Sequence, residues 1–211
     1  MSRAQAPALA SRPADRDDAA AFQLLVAEMR ACRLCAAHLP LGPRPVFRLS
    51  PSARLLIVGQ APGTRVHETG IPWNDRSGER LRAWMGIDAA TFYDERRIAI
   101  LPMGLCYPGV DKSGGDRPPR PECAPLWHPR SAPFLARVEL TLLVGSYAQA
   151  HYLGERRAAT LAATVAGWRD YGSRFLPLPH PSWRNTGWLR RNPWFEAELV
   201  AELRARVAAL L

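Results

Sequence analysis

The chain has 211 residues, 28 of them basic and 19 acidic, which gives a formal net charge of +9 at pH 7 and an isoelectric point near 10.2. That length fits a single globular domain, and 47% hydrophobic with 22% charged residues excludes wholesale disorder. No apolar run approaches the ~20 residues needed to cross a membrane.

Residues 1–17 mix Pro, Ala, Arg and Asp without periodicity and read as a flexible leader, leaving 18–211 as one domain. The first 20 residues lack the apolar stretch of a signal peptide, so a cytoplasmic protein is expected. In that compartment four cysteines point away from disulfides, toward either metal or cluster ligation or buried thiols. A first helix is expected after an N-cap at Asp17 or Asp18, with Phe22, Leu25, Val26 and Met29 on one face, and it delivers Cys32 and Cys35. After a Pro-rich connection, 54–59 reads as a fully buried strand entering a Gly/Pro turn at 60–63. A polar loop to Asn74 then leads to a helix capped by Asp75 or Ser77 and carrying Leu81, Trp84 and Met85.

The second strand is placed at 98–101 and opens a long Gly/Pro loop with Cys106 and Cys123. Helix 125–135, strand 140–145, helices 146–153 and 158–170, and strand 175–178 follow. From Asn192 onward, Trp194, Leu199, Leu203, Val207 and Leu210 mark an amphipathic closing helix. Strands alternating with helices imply an α/β protein, a three-layer α/β/α sandwich around a four-stranded, mainly parallel sheet. Ligands in such folds bind beyond the carboxyl ends of the strands, where this chain carries 59–63, 101–109 and 178–188.

The turn Gly59-Gln-Ala-Pro-Gly63, the element His67-Glu-Thr-Gly-Ile-Pro-Trp-Asn-Asp-Arg-Ser-Gly78 and the triplet His180-Pro-Ser182, in this order, resemble the motifs of the uracil-DNA glycosylase superfamily. The resemblance covers nearly the whole chain after about residue 20. The spacing of Cys32, Cys35, Cys106 and Cys123 is similar to that of its iron-sulfur branch, family 4. By that resemblance the four thiolates would hold a structural [4Fe-4S] cluster, although tetrahedral zinc satisfies the same ligands and buried thiols need no metal at all.

The resemblance implies a monofunctional glycosylase that flips uracil or a related deaminated base out of DNA, acting as a monomer without a catalytic cofactor. The base would sit against Gly59, Gln60, Ala61, Pro62, Gly63, His67, Trp73 and Asn74, with the Trp73 ring as stacking platform. Asp75 resembles the aspartate of a second branch, family 5, and would stabilise the sugar cation and orient water; as an N-cap it could also serve the following helix. His180, neutral, would donate to the departing base. Ser182, Trp183, Arg184 and Asn185 belong to the loop that presses into the duplex, with Arg184, Arg190 and Arg191 on phosphates.

Three departures stand out. Family 4 has Glu where Gln60 stands, family 1 has a catalytic Asp where Ala61 stands, and family 4 has a base-reading Asn where Pro102 stands. The cationic residues are 27 arginines and one lysine, Lys112, which removes the usual amine nucleophile of strand-nicking glycosylases. A GC-rich coding sequence would account for the same arginine bias. A non-catalytic binder of damaged or abasic DNA is the alternative reading.

Overall fold

The computed structural model describes residues 16–112 and 114–211. The leader expected over 1–17 lies outside the described residues up to residue 15. Helix α1 (Arg16–Ala31) already includes Asp17 and Asp18, so neither is its N-cap. Strand β1 (Leu55–Val58) is followed by α2 (Thr64–Thr69), α3 (Arg76–Met85) and α4 (Ala89–Tyr93). Strand β2 (Ile98–Ile100) leads through the cysteine-bearing loop to α5 (Cys123–Ser131). Strand β3 (Leu140–Val144), α6 (Ser146–Leu153), α7 (Leu161–Ala166) and β4 (Phe175–Leu178) come next. Helix α8 (Thr186–Arg191) and a π-helical turn (Phe195–Val200) then run into α9 (Ala201–Leu210).

The sheet order is β2-β1-β3-β4, and every pairing is parallel. Its strands are apolar runs because both faces are covered. Leu56, Val58, Ala99 and Leu143 pack with Leu25, Met29 and Trp127 on one face; Leu55, Ile57, Ile100, Leu142 and Leu178 pack with Leu81, Phe195 and Leu203 on the other. The three-layer α/β architecture is therefore the one expected, with the sheet wholly parallel.

Three short helices stand where loops were expected. Helices α2, α4 and α8 have five or six residues each, too few for an amphipathic period to register. Local caps make two of them: the Asp88 side chain accepts from the Thr91 N–H at 2.7 Å, and α2 closes on Gly70 in the left-handed conformation, φ 70°. Conversely, the helix expected over 158–170 is broken at Gly167 into α7 and a 3₁₀ turn (Trp168–Tyr171).

Candidate active site

At the carboxyl edge of the sheet the segments after β1, β2 and β4 enclose a pocket of about 260 Å³. Its walls include the whole turn Gly59, Gln60, Ala61, Pro62 and Gly63, together with Trp73, Asp75, Pro102, His180, Ser182, Trp183 and Arg184. That volume lies at the low end for ligand sites and suits one flat ring system.

Trp73 is the only described non-glycine residue with a positive φ, 56°, and such strain in a bulky residue persists only where the surroundings enforce it. A Cβ on Gly78 would fall 1.7 Å from the Trp73 carbonyl oxygen, and one on Gly59 would fall 2.8 Å from the indole ring. Both glycines are thus required for the tryptophan to lie between the end of β1 and the start of α3. Its carbonyl accepts from Arg82 at 3.3 Å and from the Tyr93 hydroxyl at 3.4 Å. The indole stacks on His180, ring centroids 5.7 Å apart and planes 30° from parallel. One indole face therefore meets the histidine rather than open pocket.

Asp75 performs the capping role expected of it: Oδ1 accepts from the Gly78 N–H at 2.8 Å. Its other oxygen has no hydrogen bond among the described residues. His180 is half-buried, and burial pushes its pKa below the ordinary histidine value while the nearby Asp75 carboxylate pulls the other way. The imidazole is accordingly neutral at pH 7. Asn185 donates from Nδ2 to the His180 carbonyl at 2.7 Å, so it sets the His180 backbone and stays outside the pocket.

Gln60 lines the pocket, yet its amide donates to the Arg117 carbonyl at 2.9 Å and thereby fastens the hairpin at 109–117 over the site. That hairpin brings in Asp116, which the sequence reading missed because it sits in a loop between two cysteines, far from any motif. A further unforeseen residue is His128 on α5. Its Nε2 lies 3.1 Å from the Pro102 carbonyl, so that nitrogen carries the proton, and Nδ1 accepts from the Tyr152 hydroxyl at 2.9 Å. Burial pushes the His128 pKa down to about 4, so the ring holds the pocket wall as a neutral donor.

Other expected site residues lie elsewhere. His67 and Asn74 are half-buried outside the pocket lining, with His67 beside the Tyr107 ring at 6.0 Å and its buried Nδ1 without a hydrogen-bond partner among the described residues. Trp183 stands at the rim, 72% exposed, with the Arg184 guanidinium 5.6 Å from its ring. Arg184 also donates to the Gly114 carbonyl at 3.0 Å. Arg190 faces a separate groove with Arg80 and Arg204, between α8, α3 and α9, and Arg191 is exposed on α8. Lys112, remote in sequence from the strand-end motifs, is exposed on the hairpin whose Gly114 and Asp116 line the pocket.

On the opposite side of the β2 loop, Cys32, Cys35, Cys106 and Cys123 all line one small apolar pocket. Mutual charge repulsion and, above all, burial push the Cys106 thiol up to about 11 and Cys123 to about 12. Four sulfur donors with no nitrogen or oxygen among them form the set that zinc or iron-sulfur centres take. Among the described residues no three His, Cys, Asp or Glu side chains form a ligating group, so the sulfurs share a wall without converging on a point.

The family model described as the uracil DNA glycosylase superfamily matches residues 47–204, most of the chain and all the pocket-lining residues except Val46. The chain belongs to that superfamily.

Proposed function

We propose that this member of the uracil DNA glycosylase superfamily is a monofunctional DNA glycosylase that flips a deaminated base, uracil first, out of DNA and hydrolyses its N-glycosidic bond. The observation that carries this reading is one small pocket at the sheet edge holding both a carboxylate, Asp75, and an imidazole kept neutral by burial, His180. Cleavage of the bond between the sugar and the base builds positive charge on the sugar and negative charge on the base. The free oxygen of Asp75 would face the sugar, stabilise the cation and take a proton from the attacking water. His180, through a ring N–H, would stabilise the departing anion. Water adds to the sugar carbon, the base leaves, and the phosphodiester backbone stays whole.

The exposed indole of Trp183 suits the gap left by the flipped nucleotide, and Ser182 and Arg184 line the way into the pocket. Gly59, Gln60, Ala61, Pro62, Gly63 and Trp73 would bound the base. Arg190, in the groove between α8, α3 and α9, and Arg191, exposed on α8, would reach phosphates beyond the lesion.

Cys32, Cys35, Cys106 and Cys123 would hold a [4Fe-4S] cluster, a reading supported by the placement of all four cysteines around one small pocket. Its contribution would be structural, tying the end of α1 to the loop after β2. Protein purified without oxygen is expected to contain iron and absorb in the visible; a colourless, iron-free preparation overturns this part.

The function is tested with oligonucleotides carrying uracil, hypoxanthine or xanthine, single-stranded and opposite each base, with alkali to reveal abasic sites. Alkali-labile product without prior strand breakage is expected. No product from any lesion overturns the enzyme reading, and a covalent adduct trapped by borohydride would show that Lys112 or another amine makes the enzyme bifunctional.

A further inference from the structure

Helix α3 carries Asp75 at its N-cap and Arg80 five residues further on, about 7.5 Å along one continuous ten-residue helix. Arg80 is half-buried in the groove between α3, α8 and α9, outside the pocket. Its guanidinium reaches across to the segment after β4. Nη1 donates to the Ser182 carbonyl at 3.0 Å, and Nη1 and Nη2 both donate to the Thr186 hydroxyl oxygen at 3.4 Å. A planar fork of donors on a rigid helix can fix two such acceptors at once, which a single ammonium or amide cannot.

The two anchored residues bracket Trp183. Its side chain is 72% exposed, so packing does not fix the indole, and its direction follows from the backbone on either side. That backbone is tied locally by the Asn185 N–H on the Ser182 carbonyl, at 3.1 Å, and by the Thr186 N–H on the Trp183 carbonyl. Within the same segment the Asn185 amide holds the His180 carbonyl at 2.7 Å. These bonds shape the segment internally, whereas the Arg80 guanidinium ties it to the helix that bears Asp75.

We infer that Arg80 is a positioning residue, which holds the segment bearing Trp183 in register with Asp75 so that the duplex is opened where the carboxylate can act. This role rests on the glycosylase reading proposed above and adds the residue that couples duplex opening to the hydrolytic site. Arg80 acts through Ser182 and Thr186 and touches neither base nor sugar. Without its donors the Trp183 segment would have to be ordered against α3 during binding, and a wedge displaced by about 1 Å presents the base poorly. The loss falls on duplex substrates, because a single strand has no partner strand to be held apart.

The test compares base release from a lesion-bearing duplex and from the same strand alone, using whichever of uracil, hypoxanthine and xanthine the wild type removes. Arg80→Met keeps an unbranched stem and removes every donor; its kcat/KM should fall about 10- to 100-fold more on the duplex than on the single strand. Arg80→Lys, which reaches one acceptor only, should fall between that variant and the wild type. Thr186→Val, which removes one acceptor and leaves the arginine, should lose about 2- to 5-fold on the duplex. In a Trp183→Ala background, adding Arg80→Met should leave the duplex-to-single-strand ratio within about twofold, since both substitutions disable the same wedge. Melting curves separate misfolding from lost positioning, and Thr186→Val carries the decision if Arg80→Met unfolds. Equal losses on duplex and single strand, or effects of Arg80→Met and Trp183→Ala that multiply, overturn the assignment while leaving the glycosylase reading intact. Release by the wild type from single strands alone does the same. Absence of product from the wild type with all three lesions overturns both.

Discussion

Asp75 carries two functions on two oxygens, and substitution can separate them. Oδ1 caps α3, a task that Asn performs about equally well, whereas Asn cannot take a proton from water. Asp75→Asn is therefore expected to retain its melting temperature and its DNA binding while base release falls by about 10²–10⁴-fold in single-turnover assays. Asp75→Ala should lose both, with a stability cost of about 1 kcal/mol in denaturant titrations.

His128 makes a different prediction, about stability. Its pKa is about 4 in the folded protein against 6.5 for a free histidine, so between those values the unfolded chain takes up a proton that the folded chain refuses. Stability is then complete above about pH 6.5 and is lost as pH falls toward 4, by roughly 3 kcal/mol from this residue, in the direction that His180 and His151 share. Denaturant titrations across that range should show the decline. It should be shallower in His128→Gln, whose amide can still donate to the Pro102 carbonyl.

Among the secondary-structure elements, the junction between β1 and α3 decides whether the pocket exists. The strained Trp73 backbone fits only because Gly78 has no side chain, and adding one forces the helix start away from the strand end. Gly78→Ala should cost about 1–3 kcal/mol, read as a lowered denaturation midpoint, and should impair base release along with it. The segment between β4 and α8 bears on the duplex instead. Trp183 is 72% exposed and buries little on folding, so Trp183→Ala should leave the melting temperature unchanged. Because filling the gap matters only where a partner strand must be held apart, release from double-stranded DNA should drop at least about tenfold more than release from single strands.

Over the whole molecule, the +9 charge and its arginine composition give the longest-range term in recognition. Binding to undamaged DNA should weaken linearly in a double-logarithmic plot against salt. Arg184→Ala, at the pocket rim, should reduce the magnitude of that slope by about one if its guanidinium neutralises a phosphate. Arg190→Ala, on the separate groove, should do the same only if the bound strand extends past α8.

The four strands, the closing helix and the three strand ends that build the pocket were all readable from the residues. A fully buried parallel strand is an unbroken apolar run whatever surrounds it, and a turn such as 59–63 announces itself by its glycines and prolines. Asp75 as helix cap was equally legible, because capping is local. What the sequence could not decide is everything set by distance across the fold. Asp116 reaches the pocket through a hairpin fastened by Gln60, His128 reaches Pro102 from the far side of the loop, and Arg190 turns away from the site although it lies ten residues after His180 in the chain. Periodicity and motifs report a residue's immediate neighbours, whereas these placements follow from how separate elements pack, and only the tertiary structure contains that information.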